Sequence, residues 1–454
     1  MFDPQYLAPY ALEWFNLLLR WLHIITGIAW IGASFYFVWL DNTIKAPPPG
    51  STLERQGVSG ELWAVHGGGF YNPQKYLVAP AELPQELHWF KWEAYATWLS
   101  GLALLVVVYY LNARAMMVDP GVADLSQGQA IGVGIGSLVV GWIVYDLLCR
   151  TRLVQWQVAF GAVVWLFLVG AGWVLAQLLS GRAAYLHVGA MIGTMMAANV
   201  ALVIIPGQRK MVQAMLAGRR PDPGHGIKAK QRSVHNNYFT LPVLFIMISN
   251  HYAMTYNHAR AWAVLGAIML AGVLIRHFFN LRHKGRIAWR YPAAGAAVLL
   301  VLAVALAPAP RAHVVPGAAS AAAAAATPAA SAAAAADPAV AAAGGFAEIQ
   351  AIMDQRCVSC HARQPTQPGF AAAPGGVMLD TPELVGRHAA RIYQQTVQSK
   401  AMPLANLTHM TDAERARVGA WFEAGAVTGA GPAANASASA NANANANANA
   451  GDTP

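Results

Sequence analysis

Cys357-Val358-Ser359-Cys360-His361 is the string in this chain with the most sharply defined chemistry. Two cysteines three apart, followed at once by histidine, form the attachment signature of a c-type haem. The two thiols can make thioethers to the two vinyl groups of one porphyrin, and the adjacent histidine then lies beneath the iron as axial ligand. A bare redox CxxC pair or half of a zinc site is the alternative. Zinc needs two further ligands, and the one other cysteine, Cys149, stands far upstream beside an apolar run. The pattern points to electron transfer.

A second axial ligand should follow, and a methionine thioether opposite histidine raises the iron's potential. Met402 is the candidate, because Pro403 fixes the backbone beside the sulfur and removes a donor. Met378 and Met410 are its rivals, since methionine is also a common core filler. Around the motif the sequence reads as a small helical domain. Phe346, Ile349, Ile352 and Met353 have helical spacing, Thr381-Pro382-Glu383 opens a helix, and Thr411 to Glu414 is a capping box. Residues 346–430 are too few for a large core, so the haem would supply much of it. These features predict a cytochrome c fold.

The rest of the chain has a different character. The whole is 56% hydrophobic and 11% charged, far from the roughly 25% charged of soluble domains. Eight apolar runs, near 14–40, 92–111, 129–148, 156–179, 184–206, 238–257, 261–279 and 291–308, approach the ~20 residues that span a bilayer as helix. The expected fold class is all-α: a polytopic eight-helix membrane domain over 1–308 and a small cytochrome c domain over 346–430. Between them, 309–345 is an Ala/Pro-rich tether, and 431–454 is a low-complexity tail without an apolar face.

Charge gives an orientation. Loops after the odd-numbered runs hold seventeen Lys and Arg, Lys91 and Arg232 among them, against three after the even-numbered ones. The positive-inside rule places the odd loops in the cytoplasm. Both termini and the haem domain then face the periplasm of a bacterial inner membrane, the side on which haem c is attached. The net charge of +9 is thus a topology signal and excludes no less than it explains: nucleic acid is not the partner it implies.

Polar residues inside the runs are the next candidates, because intramembrane ionisable groups are functional by default. His23 shares a helix face with Arg20, His187 opens the fifth run, and His251 closes the sixth beside Ser249 and Asn250. Together they could ligate a b-type haem, serve as a relay, or face a substrate. Single histidines bonded between helices and a snorkelling Arg20 are the bland counterparts. The first cytoplasmic loop is long enough to carry function. It holds His66 before three glycines, then His88, Trp89, Lys91 and Glu93, a set with stacking, cationic and proton-accepting groups. An interfacial aromatic belt is the plainer account of it.

The run Gly60-Glu61-Leu62-Trp63 through His66-Gly67-Gly68-Gly69-Phe70-Tyr71, the block Leu87 to Tyr95, and Ser249-Asn250-His251-Tyr252 resemble the bacterial integral-membrane urate oxidases fused to a cytochrome c. That resemblance implies hydroxylation of urate to 5-hydroxyisourate, with electrons passed through the fused haem to a respiratory-chain acceptor. It carries over onto Cys357, Cys360, His361 and Met402 as the haem c residues. A planar, anionic purine wants an aromatic face, a cation and amide-like partners; His66, Trp89, Lys91 and Glu93 are the expected pocket. Two other classes remain. One is a quinol-oxidising or oxygen-reducing respiratory subunit, although the chain has no His-His pair of the haem-copper kind. The other is a redox sensor or transporter without substrate turnover.

Overall fold

The computed structural model describes residues 4–119, 122–307, 338–367, 370, 373–374, 377–398 and 400–428. Most of the expected tether, 309–337, and the whole tail, 431–454, lie outside the described residues. The last stretch of that tether, from Pro338, is helical and continues without a break to Arg356. The chain divides into two compact units, one of residues up to 307 and one towards the C-terminus.

The first unit is a helical bundle. Helix α1 (Pro4–Thr43) is 40 residues long, about 60 Å at 1.5 Å per residue. The other long elements are α3 (Trp92–Leu104), α5 (Gln127–Arg150), α6 (Gln157–Ala176), α7 (Gly181–Ala198), α9 (Pro223–Ser249), α11 (Ala261–His283) and α12 (Arg290–Ala305). Shorter helices are α2 (Thr52–Arg55), α4 (Ala113–Met116), α8 (Ile205–Leu216) and α10 (Ala253–Tyr256). Among the described residues six segments are long and apolar enough to cross a membrane, by length and composition. They correspond to six of the eight expected runs. The sixth run instead forms the second half of α9, whose first half is polar, and it ends at Ser249. The eighth forms a helix of 16 residues, short of the ~20 that a straight span needs.

Helix α7 is the hub. His187, Val188, Ile192 and Met195 on it are fully buried, because its glycines and those of its neighbours admit side chains at close range. A Cβ on Gly134 would stand 2.5 Å from His187, one on Gly141 2.2 Å from Met191, and one on Gly189 2.4 Å from Ile246. Small residues at crossings are how helices approach in an apolar medium. By contrast, Leu17, Trp21 and Ile28 on α1 and Val139, Val140, Ile143 and Leu147 on α5 are exposed. An outward apolar belt on long apolar helices is compatible with a membrane protein. Two wider i→i+5 turns, Leu105–Tyr110 and Asn199–Ile204, carry Tyr109 and Asn199 into the interior. Such turns recur at functional places in helices.

The first loop departs from the all-α expectation. Strand β1 (Val58–Glu61) pairs with β4 (Gln74–Tyr76), and β2 (Ala64–His66) with β3 (Gly69–Tyr71), all antiparallel. They make one long hairpin. Gly67 (φ 58°) and Gly68 (φ 81°) are its two turn residues, the left-handed pair that a two-residue type I′ hairpin turn requires. The glycine run builds the turn. Asp41 at the end of α1 anchors the hairpin, forming ion pairs with Lys75 of β4 and, at 2.8 Å, with Lys230 of α9. Burial, and then the facing Lys230, pull the Lys75 ammonium below its ordinary value, so Asp41 is the charge that keeps two lysines side by side. In Asp41→Asn the hairpin should loosen: amide hydrogen exchange over 58–76 is expected to accelerate while α7 keeps its protection. Unchanged exchange there would show that the backbone pairing of Lys45 with Glu61 suffices.

Candidate functional site

In the second unit, α13 (Pro338–Arg356) leads directly into the CxxCH segment, and α14 (Pro382–Arg387), α15 (Ala389–Tyr393) and α16 (Asp412–Glu423) complete it. Phe346, Ile349, Ile352 and Met353 are buried with Val385, Val418 and Trp421. Thr381 accepts from the Leu384 amide ahead of Pro382, and Thr411 and Glu414 form a reciprocal capping box. Glu414 also receives both Nε (3.1 Å) and Nη2 (2.9 Å) of Arg356, tying the helix before Cys357 to the last helix.

The residues at the motif fit a c-type haem. The His361 Nδ1 lies 2.8 Å from the Val377 carbonyl oxygen, so Nδ1 carries the hydrogen and Nε2 is left with its lone pair, the form that binds iron. Burial pushes the Cys357 thiol up to about 12 and raises Cys360 as well. Among the described residues no group of three His, Cys, Asp or Glu side chains is set to hold a metal ion. Met402 is held by its backbone at both ends. Its N–H donates to the Gln395 carbonyl (3.0 Å) and its carbonyl accepts from the buried Arg415 (2.8 Å). Its side chain is half-buried, whereas Met410 is 3% exposed within the apolar core. Met378 follows the residue whose carbonyl holds the His361 ring.

The three membrane-unit histidines have separate partners. The His23 Nδ1 is 3.0 Å from the Thr97 carbonyl and 3.1 Å from the Ser100 hydroxyl, with the ring against Gly101. His187 bonds the Ala183 carbonyl (2.8 Å) and the Tyr110 hydroxyl (3.3 Å) and presses on Gly134. His251 is exposed in the turn after α9. Their partner sets share no residue, and the Nε2 side of His187 meets Tyr110 and the α5 backbone. Arg20 bonds Asn16 on its own helix (2.8 Å).

The first-loop residues are likewise not gathered. His66 is exposed at the hairpin tip, Lys91 lies 5.7 Å from the Trp92 ring centroid, Trp89 packs against Ala94, Val200 and Ile205, and Glu93 opens α3. Among the described residues no hydrogen bond or ion pair joins His66, Trp89, Lys91 and Glu93. The hairpin turn is the reason: it carries His66 out to the far end of a two-stranded ribbon.

Polar chemistry is concentrated instead along α9. Arg232, counted above as a loop charge, is 5% exposed. Its Nη2 meets Asp146 of α5 at 2.6 Å and its Nη1 meets Asn199 at 3.0 Å. Asn199 then donates to the Tyr145 hydroxyl (3.0 Å) and to Asn236 (2.8 Å), and Tyr145 bonds His235 (2.8 Å). On the next position of α9, Asn237 belongs to a second group. Its side-chain oxygen accepts from Arg276 Nε (3.0 Å) and Asn280 Nδ2 (2.9 Å), both on α11. The Arg276 guanidinium lies 3.8 Å from the centroid of the Phe35 ring of α1. Asn237, Arg276 and Asn280 are 0%, 4% and 8% exposed. None of these three was singled out from sequence. The available signals were an arginine inside the seventh apolar run, its i, i+4, i+7 spacing with Asn280 and His283, and the Asn236-Asn237 pair.

A buried polar layer inside a bundle of long apolar helices is compatible with a membrane protein. The chain belongs to the urate oxidase N-terminal family, whose model matches residues 9–307. No curated protein and no solved structure matches the chain.

The two-ended backbone grip on Met402 generates a test of the axial ligand. Met402→Ala should keep haem covalently attached, since both cysteines remain, and lower its reduction potential through loss of the thioether. A wild-type potential with an intact methionine–iron absorption band would move the assignment to Met410 or Met378.

Proposed function

We propose that this protein is a membrane-bound urate oxidase that passes electrons to a haem c carried on its own C-terminal unit. Urate and water give 5-hydroxyisourate, two electrons and two protons. The water oxygen becomes bonded to a urate ring carbon, so no dioxygen atom enters the product. Cys357 and Cys360 would hold the haem covalently, with His361 and Met402 as axial ligands. Bound there, the haem supplies a one-electron acceptor, so each urate requires two successive transfers, and a respiratory-chain acceptor takes the electrons onward. The observation that carries this reading is the His361–Val377 bond beside two cysteines, in a chain whose residues 9–307 belong to the urate oxidase N-terminal family.

The charge bias of the loops supports an inner-membrane location with both termini and the haem unit on the periplasmic side. The C-terminal end of α11, with Arg276, Asn280 and His283, is then the cytoplasmic end, where purine breakdown supplies substrate. Water exclusion in the bundle would strengthen every charge interaction with a bound anion.

Anaerobic addition of urate to the oxidised, purified protein should produce the absorption bands of reduced haem c. Cys360→Ala should abolish covalent haem and turnover with the physiological acceptor. An unchanged spectrum with urate, alongside reduction by a quinol, would instead establish a respiratory electron-transfer subunit. A haem assay on the same preparation should return one haem per chain; a second, extractable haem would call for ligands in the membrane unit.

A further inference from the structure

Arg232 and Arg276 are two arginines buried to the same degree, at 5% and 4% exposure, and they differ in one respect. Arg232 has a carboxylate at 2.6 Å, that of Asp146. Among the described residues no Asp or Glu forms an ion pair with Arg276. A buried guanidinium without a counter-charge costs several kcal/mol of desolvation, and the Phe35 face returns only part of it. Water can fill hydrogen-bonding positions but brings no charge.

Beside that cation, four buried polar atoms have no partner: Arg276 Nη2, Asn237 Nδ2, Asn280 Oδ1 and His283 Nδ1. The amide orientations follow from the arginine. A guanidinium only donates, so the Asn237 atom 3.0 Å from Arg276 Nε must be its oxygen. That oxygen also faces Asn280 at 2.9 Å, so the Asn280 atom there must be its nitrogen. The unsatisfied atoms of these three residues are therefore two donors, Arg276 Nη2 and Asn237 Nδ2, and one acceptor, Asn280 Oδ1. His283 Nδ1 takes either role.

We infer that this group, on α9 and α11 against Phe35 of α1, is the site at which the anionic oxo-purine binds; the inference rests on the urate reading above. A carboxylate offers acceptors alone and would leave Asn280 Oδ1 opposed by another oxygen. A neutral heterocycle would leave the Arg276 charge unanswered. The urate monoanion has ring carbonyl oxygens for the two donors, a ring N–H for the acceptor, and the negative charge. His283 is then placed to accept a proton released during oxidation. The uncompensated charge is a cost in stability retained for binding.

Equilibrium dialysis of radiolabelled urate against full-length protein, with its haem reduced beforehand so that no turnover occurs, tests this. Arg276→Gln should weaken binding roughly 10- to 100-fold, the usual size for a hydrogen bond to a charged group, and should melt at or above the wild-type temperature. If that variant fails to fold, Asn280→Ala, which removes the acceptor and keeps the cation, should weaken binding about tenfold. Wild-type affinity in either folded variant overturns the assignment. So does loss of binding in Lys91→Met with Arg276→Gln unaffected, which would return the pocket to the first loop. Protection against thermal unfolding by inorganic phosphate but not by urate overturns it too. Should the wild type neither bind nor oxidise urate, the functional reading itself falls; turnover that survives Arg276→Gln removes only this site.

Discussion

Burying charge in a bundle this apolar is the constraint on which the first unit depends. The Arg232–Asp146 pair at 2.6 Å joins α9 to α5 at a depth where neither group has enough water. Once made, it dictates much around it. Asn199 must reach the second guanidinium nitrogen, and the wide turn at Asn199–Ile204 brings it inward. Asn199 then needs acceptors and finds Tyr145 and Asn236. Arg150 takes the other Asp146 oxygen at 2.8 Å. Removing either member of a buried pair typically costs about 3–5 kcal/mol, because the survivor stays buried and unpaired. The same arithmetic makes the unpaired Arg276 conspicuous.

Helix α9 links the two polar groups. Its first half is too polar to be a conventional span, yet Arg232, Asn236, Asn237 and Thr240 on it are all buried. Consecutive residues point about 100° apart on a helix, so Asn236 serves the Asp146 group and Asn237 the Arg276 group. Pro242 lies one turn further along the same helix, where it cannot donate to the carbonyl four residues before it. A polar stripe on the inside of α9 and an apolar belt on the outside of α1 and α5 are compatible with a membrane protein.

The second unit solves a different problem. Its few buried apolar residues form one small cluster, and its loops are held by arginines: Arg356 on Glu414 and the Thr408 carbonyl, Arg415 on the carbonyls of Thr396 and Met402. These bonds fix the segments that carry Cys357 and Met402 without relying on a large core.

Sequence alone determined the features that depend on neighbours along the chain. The CxxCH spacing, the Thr411–Glu414 capping box, the Thr381-Pro382 helix start and the apolar runs are local, and the structure forms those caps and most of those helices. Tertiary structure decided what depends on partners far apart in number. That Gly67-Gly68-Gly69 turns a hairpin rested on strands 58–61 and 74–76 finding each other. Whether Arg232 is a loop charge rested on Asp146, 86 positions away. His23, His187 and His251 shared a side of the expected topology, yet each is committed to different neighbours. Arg276 could be read from its position in an apolar run, but that no acidic partner meets it among the described residues could not, because pairing is a property of the folded bundle and a single residue's type does not carry it.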